Sequence, residues 1–192
     1  MRTKDFDENE ILKKAISIFW EKGYHATSLY DLIEGLGIGR SSIYHAFGDK
    51  HKLFVKALER YQEEATARIE AALNDASSVK EGIKALLRIG VVDRLDSACP
   101  KGCFKVNTEV ELATHDELIR KVLREDERLI EEALIKAIKK GQADRQINAS
   151  KDPKVLAHFL CNTITGLRVY SKVRSDRSFF EGVIETALSV LD

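Results

Sequence analysis

The residues best placed to do chemistry lie between Gly37 and Lys50, where Arg40, Ser41, Ser42, Tyr44 and His45 fall on the forward face of one short predicted helix. Guanidinium, hydroxyl, phenol and imidazole groups at these positions suit hydrogen bonds to phosphates and base edges. Ile43 and Phe47, four residues apart, give the same helix an apolar back to anchor it. Arg40 fits guanine readout, with a phosphate contact as the alternative. Tyr44 either packs into the helical centre or offers its hydroxyl to a phosphate, and its neighbours Ser42 and His45 favour the second. Lys50 opens the next helix, where its charge opposes the helix dipole unless an anion such as a phosphate lies nearby. His45 and His51 are further donors. Thr27 and Ser28 are good helix caps, and a helix start facing DNA also offers its free amides to a phosphate.

A helix this short needs support, because isolated helices below about 12 to 15 residues are marginal in water. The flanking pattern predicts that support. Asp7, with Glu10 reaching back, starts a helix whose Leu12, Ala15, Ile16 and Phe19 form one stripe, ending at Gly23. Ser28 with Asp31 starts a second, with Leu29, Leu32, Ile33 and Leu36 as its stripe, and Gly37 and Gly39 permit a sharp bend. Asp49 caps a fourth, longer helix carrying Leu53, Phe54, Ala57, Leu58 and Tyr61.

The run from Ile11 to Leu53, with GYHATS followed by LGIGRSSIYHAFGDKHKLF, resembles the N-terminal domain of TetR/AcrR-type bacterial transcriptional regulators. The resemblance rests on the glycine and aromatic at Gly23 and Tyr24, then Thr27-Ser28, the Gly-x-Gly turn, Tyr44, Phe47, Lys50 and Leu53. It implies an all-helical homodimer whose head binds operator DNA and whose larger C-terminal domain binds a small ligand that releases the DNA. Repression by steric occlusion is the commoner mechanism of that family. The expected fold class is therefore all-α: a three-helix helix-turn-helix domain over residues 1–52, joined through the long fourth helix to an effector-binding and dimerisation domain over residues 53–192.

Composition agrees in outline. The chain of 192 residues balances 31 basic against 31 acidic side chains and is 44% hydrophobic, with only 2 prolines, which describes a folded chain with ample core material. Zero net charge argues against a broad non-specific coat on nucleic acid, whereas Arg40, Lys50 and Lys52 make the reading segment locally basic. No run approaches the roughly 18 apolar residues of a membrane span, and the polar start is unlike a signal peptide. Three cysteines are too few for a disulfide framework, so the expected location is cytoplasmic.

Downstream, helices are predicted to about Leu73, over Val79 to Asp93, over Cys103 to Ala113, from a Thr114/Glu117 capping box to about Lys140 with Gly141 as the stop, from Pro153 to about Val173, and over Asp176 to Leu191. Pro100 and Gly102 break the middle of this run, and a pocket is expected around it. Its candidate lining is Leu87 on the fifth helix with Cys103, Asn107 and Glu111 on one face of the sixth, Glu111 suiting a cationic or donating ligand. The last two helices are apolar along one side, with Leu156, Phe159, Leu160, Thr163, Ile164 and Leu167 on one and Phe180, Val183, Ile184, Ala187, Leu188 and Leu191 on the other. Core packing is one explanation. A dimer interface including Phe159, Thr163, Gly166, Val183 and Ala187 is the other, and the resemblance implies a four-helix bundle with the symmetry mate there. Gly166 inside a helix costs about 1 kcal/mol unless a close approach uses the missing side chain.

Cys103 follows Lys101 at a predicted helix start, where the dipole and an ammonium would favour thiolate, so an electrophile- or oxidant-sensing regulator is one alternative. Buried structural cysteine is another. Metal binding is weakly supported, since Cys99, Cys103 and His115 are unevenly spaced and His158 with Cys161 has no third ligand. No cofactor is expected. No Gly-rich phosphate loop, HExxH, nucleophile elbow or paired CxxC points to an enzyme, and a DNA-binding adaptor without a ligand would differ by having a filled C-terminal core.

Overall fold

In a computed structural model the described residues are 6–89, 91–95, 100 and 102–192. Among them every regular element is helical. Helix α1 (Glu8–Lys22) is capped by the Asp7 carboxylate, which accepts from the Asn9 amide at 2.9 Å, while Glu10 pairs with Lys13 instead of reaching back to the cap. Helix α2 (Leu29–Leu36) starts at the expected reciprocal box between Ser28 and Asp31. Gly37 then turns the chain at φ 70°, a left-handed conformation that glycine adopts without strain, and delivers it into α3 (Arg40–Phe47). Asp49 caps α4 (Lys50–Asn74) through the Lys52 amide.

The three short helices do not close a core by themselves. Leu32, Leu36, Ile43 and Phe47 join Ala15 and Phe19 of α1 and Leu53, Phe54, Val55, Ala57 and Leu58 of α4 in one buried cluster, and Phe104, Leu112, Ile119 and Leu123 from much later in the chain complete it. Phe54 anchors this junction, meeting Phe19 and Tyr24 edge-on at 4.9 Å between ring centroids and Phe104 at 5.4 Å. A boundary between residues 52 and 53 therefore falls in the first turn of a continuous helix, and the head's apolar core runs past it.

The C-terminal part comprises α5 (Val79–Arg88), α6 (Phe104–Leu112), α7 (Glu117–Ala143), α8 (Pro153–Tyr170) and α9 (Arg177–Ser189), built on a second buried cluster that includes Ile83, Leu87, Leu134, Leu160 and Phe180. Several expected boundaries move. The fifth helix stops at Arg88 instead of running to Asp93, since Ile89-Gly90-Val91-Val92 is a poor helical run, and only a 3-10 turn follows at Val92–Arg94. Asp116, not Thr114, caps α7 by accepting from the Ile119 amide at 3.0 Å. Gly141 lies inside α7 and does not end it: a Cβ there would stand 2.7 Å from Ile147 Cδ1, so this glycine permits the following loop to pack close. The eighth helix ends at Tyr170, short of Val173.

Candidate DNA interface, effector cavity and dimer face

Helix α3 presents the expected division of labour. Ile43 and Phe47 are buried, whereas Arg40, Ser41, Tyr44 and His45 are exposed and Ser42 is partly so. Arg40 Cζ lies 5.5 Å from the Tyr44 ring centroid, one helical turn away, so the phenol face braces the guanidinium near the helix start. Gly39 caps α3 without a side-chain hydrogen bond, which leaves the first-turn amides open on the same surface. These groups, one helix wide and apolar only at the back, can enter a major groove.

Neighbouring candidates are placed differently. Thr27 is only 1% exposed and its hydroxyl donates to the Gly23 carbonyl at 2.5 Å, so its side chain closes the corner after α1 and is unavailable to DNA. The Ser28 hydroxyl is exposed but committed to Asp31, whose carboxylate also takes Lys22 Nζ at 2.6 Å and is held well below the usual carboxylate range by these bonds. Lys50 lies with Nζ 4.4 Å from the Tyr24 ring centroid, and partial burial pushes its ammonium pKa down. His51 is not a free donor: its Nε2 meets Asp116 at 2.6 Å. Tyr30, 71% exposed on the first turn of α2, is a surface aromatic that the pattern of apolar stripes misses, because helical period assigns it only to the outer face.

The C-terminal domain holds a cavity of about 310 Å³ between α4, α5, α6, α7 and α8. Its wall is Ile69, Leu86, Val106, Leu123, Ile130 and Ile164, with polar groups from Lys105, Glu109, Glu127, Asn162, Thr165 and Arg168. Of the four residues expected to line a pocket, none is on this wall, and Cys103 instead borders a separate small pocket with Gly102, Tyr61 and Arg168. Leu87 is wholly inside the core next to Leu86, and Cys103 is buried with its sulfur 3.4 Å from Tyr61 Oη and 3.7 Å from Arg168 Nη1. Asn107 Oδ1 accepts from Lys172 Nζ at 2.9 Å. Glu111 accepts from the backbone amides of Tyr24 and His25 in the head, at 2.9 and 2.7 Å. The shared face of Cys103, Asn107 and Glu111 is real, but it turns toward α8 and the head, whereas Lys105, Val106 and Glu109 take the cavity side.

Cys161 does line the cavity, and burial pushes its thiol up to about 11, so it is a neutral wall group. Cys99 and Lys101 lie outside the described residues, and His158 is engaged with Glu131 at 2.9 Å. Among the described residues no group of three or more metal-ligating side chains converges, and no helix is long and apolar enough to cross a membrane.

Helices α8 and α9 separate the mixed apolar stripe into two. Leu156, Leu160, Ile164, Phe180 and Ile184 face inward, while Phe159, Thr163, Phe179, Gly182, Val183 and Ala187 line an outward groove of about 420 Å³. Phe159 remains 43% exposed, and a Cβ on Gly166 would meet nothing within 4 Å. Among the described residues nothing therefore uses the surface that the missing Gly166 side chain leaves.

A reading helix on a helical corner, tied by a long helix to a domain with a cavity and an outward apolar groove, defines a two-part DNA-binding regulator. The comparisons agree. The family model described as "Bacterial regulatory proteins, tetR family" matches residues 11–57, and "Tetracyclin repressor-like, C-terminal domain" matches residues 80–187. YezE, an uncharacterised helix-turn-helix transcriptional regulator of Bacillus subtilis, is 32% identical over 100% of this chain and 99% of its own. ComR, a transcriptional repressor of Escherichia coli, is 31% identical over 89% of this chain and 82% of its own. The solved structure of a triple cysteine mutant of CifR, a TetR-family regulator complexed with 26-bp double-strand operator DNA, superposes with a TM-score of 0.89 at 30% identity, covering 100% of both chains. The chain belongs to the TetR family and is a DNA-binding transcriptional regulator.

Proposed function

We propose that this protein is a homodimeric repressor that leaves its operator when a small molecule occupies the cavity among α4, α5, α6, α7 and α8. The observation that carries the reading is the double use of α6: Lys105, Val106 and Glu109 line the cavity, and Glu111, half a turn further on, holds the head by two backbone amides. A guest that displaces α6 acts directly on the corner between α1 and α2, and through Ile69 on α4 as well. The operator complex of CifR and the repressor ComR support operator binding and repression as the event to be regulated. Pairing through the α8–α9 groove supplies the two heads that a near-palindromic site requires.

The test is an operator selected from random duplexes, followed by anisotropy titrations with and without compounds that bind the protein. A cavity-filling change, Thr165→Trp, is expected to abolish the response to such compounds while the protein still folds and dimerises. An undiminished response in Thr165→Trp would move the effector site elsewhere.

A second reading is thiol sensing at Cys103. Its sulfur has a guanidinium and a phenol as immediate neighbours, and cysteines were also the mutated positions in the CifR complex. Operator release by an alkylating agent or peroxide that vanishes in Cys103→Ser and persists in Cys161→Ser would favour it over reversible binding.

A further inference from the structure

We propose that the C-terminal cavity selects a small organic monocation, an amine or ammonium with an apolar body, whose charge is met by Glu109 and Glu127. The inference rests on reading this cavity as the effector site and adds the chemical class of its guest.

The argument is the charge inventory of the wall. Lys105 is committed: its Nζ lies 2.6 Å from Asp126, both side chains are nearly buried, and Asp126 also accepts from Thr66 Oγ1 at 3.2 Å. That pair is internally neutral and ties α6 to α7 and α4. Glu109 is left with Lys105 Nζ at 3.8 Å, beyond hydrogen-bonding distance and shared with a nearer carboxylate. Glu127 forms no ion pair among the described residues, and Arg168, on the same wall, has its guanidinium 3.7 Å from the Cys103 sulfur. With Lys105 and Asp126 cancelled, two glutamates face one arginine, so the cavity is one positive charge short of neutrality.

The hydrogen-bonding groups point the same way. Asn162 donates one Nδ2 hydrogen to the His158 carbonyl, at 2.8 Å, which holds the amide and leaves its oxygen as an acceptor for a guest. Burial pushes the Glu109 carboxyl up, with Glu127 and Asp126 adding in the same direction against Lys105 and Arg168. A cation beside Glu109 relieves that penalty, whereas an anion deepens it. The opposite wall of Ile69, Leu86, Leu123, Ile130 and Ile164 fits only an apolar body, and about 310 Å³ is at the small end of ligand-site volumes.

Matched probes of one chain length test the class: hexylamine, 1-hexanol and hexanoate, titrated into the full-length protein with 13C-labelled isoleucine methyl groups. Shifts at Ile130 and Ile164 report occupancy of this cavity, whereas Ile69 also borders the small pocket beside Cys103 and serves only in combination with them. At pH 7.5 hexylamine is expected to half-saturate at a concentration about tenfold lower than either partner, equivalent to about 1.4 kcal/mol. Glu109→Gln should erase that preference and leave 1-hexanol unchanged, and Arg168→Gln should strengthen the amine. A preference for hexanoate, an unaltered preference in Glu109→Gln, or failure of all three probes to move these methyl groups would overturn the proposal. Occupancy by 1-hexanol and hexanoate without selection for the amine would sink the cation class alone, since the effector reading is judged separately by operator release in Thr165→Trp.

Discussion

The carboxylate of Glu111 grips the backbone of Tyr24 across 87 positions of sequence, and with the adjoining His25 amide it closes both of its oxygens on the corner after α1. The Tyr24 ring in turn packs on Phe54 and carries Lys50 over its face. One short chain of contacts thus runs from the sixth helix to the start of the helix that follows the reading head. A carboxylate accepting two amides is a strong clamp, because bonds to a charged acceptor are worth more than neutral ones.

Removing this clamp tests its role in both stability and control. Glu111→Ala is expected to lower the melting temperature by about 3–6 °C, from a loss of about 1.5 kcal/mol in a chain of this size. The response of operator affinity to a cavity ligand should shrink while the ligand's own affinity for DNA-free protein stays the same. Full retention of coupling in Glu111→Ala would leave α4 as the transmitting element.

The DNA face is expected to separate into readers and holders. Arg40→Ala should weaken the best duplex far more than random DNA, since a bidentate base contact is worth about 1–3 kcal/mol of discrimination. Lys50→Ala should weaken both alike and reduce the slope of log affinity against log salt by about one. Thr27→Val should lower thermal stability and leave that slope untouched, because the Thr27 hydroxyl is turned inward to Gly23. A smaller slope in Thr27→Val would return Thr27 to the interface.

What the sequence disclosed depended on the range of the interaction. Asp7, Ser28 with Asp31, and Asp49 act within a few residues of themselves, so their caps and the helices they start were legible from spacing. The reading face of α3 was legible for the same reason: period alone separates Arg40 and Tyr44 from Ile43 and Phe47. The cavity wall was not. Asn107 and Glu111 do share a face, but which neighbour that face meets is decided by packing against Tyr24 and Lys172, which no local pattern encodes. The inward turn of Thr27 and the capture of His51 by Asp116 were hidden likewise, each set by a partner that helical period does not reveal.

The outward groove between α8 and α9 should be the dimer face. Phe159→Glu and Val183→Glu each place a charge where the partner's apolar side chains would meet it; Phe159 is exposed, whereas Val183 also packs against the C-terminal core, so Phe159→Glu is the cleaner test. Analytical ultracentrifugation is expected to show dimer for the unaltered protein at micromolar concentration and monomer for either variant, with circular dichroism unchanged in Phe159→Glu. Operator affinity should fall steeply, because one head contacts a single half-site. A variant that stays dimeric would place the interface on another surface.

Acid titration should expose two carboxylates of opposite sign. Asp116 is pushed up by partial burial, but the Ile119 amide and His51 more than offset this, so its folded pKa lies below the usual value. The stability it contributes is present above the unfolded aspartate pKa, about 3.9, and is lost as pH falls through the lower folded value. Glu109 is raised by burial, so the folded state holds its proton longer than the unfolded chain. Its contribution is full at low pH and is lost as pH rises from the unfolded glutamate pKa, about 4.3, through the raised folded value. Melting curves from pH 3 to pH 8 are therefore expected to show Asp116→Asn flattening the acid limb below about pH 4 and Glu109→Gln gaining stability relative to the unaltered protein only above about pH 4.3. The two carboxylates share no hydrogen-bond or ion-pair partner among the described residues, so their effects should add in the double variant. A Glu109→Gln gain of equal size at pH 3.5 and pH 7.5 would mean that packing, and not the buried charge, sets the cost of this glutamate.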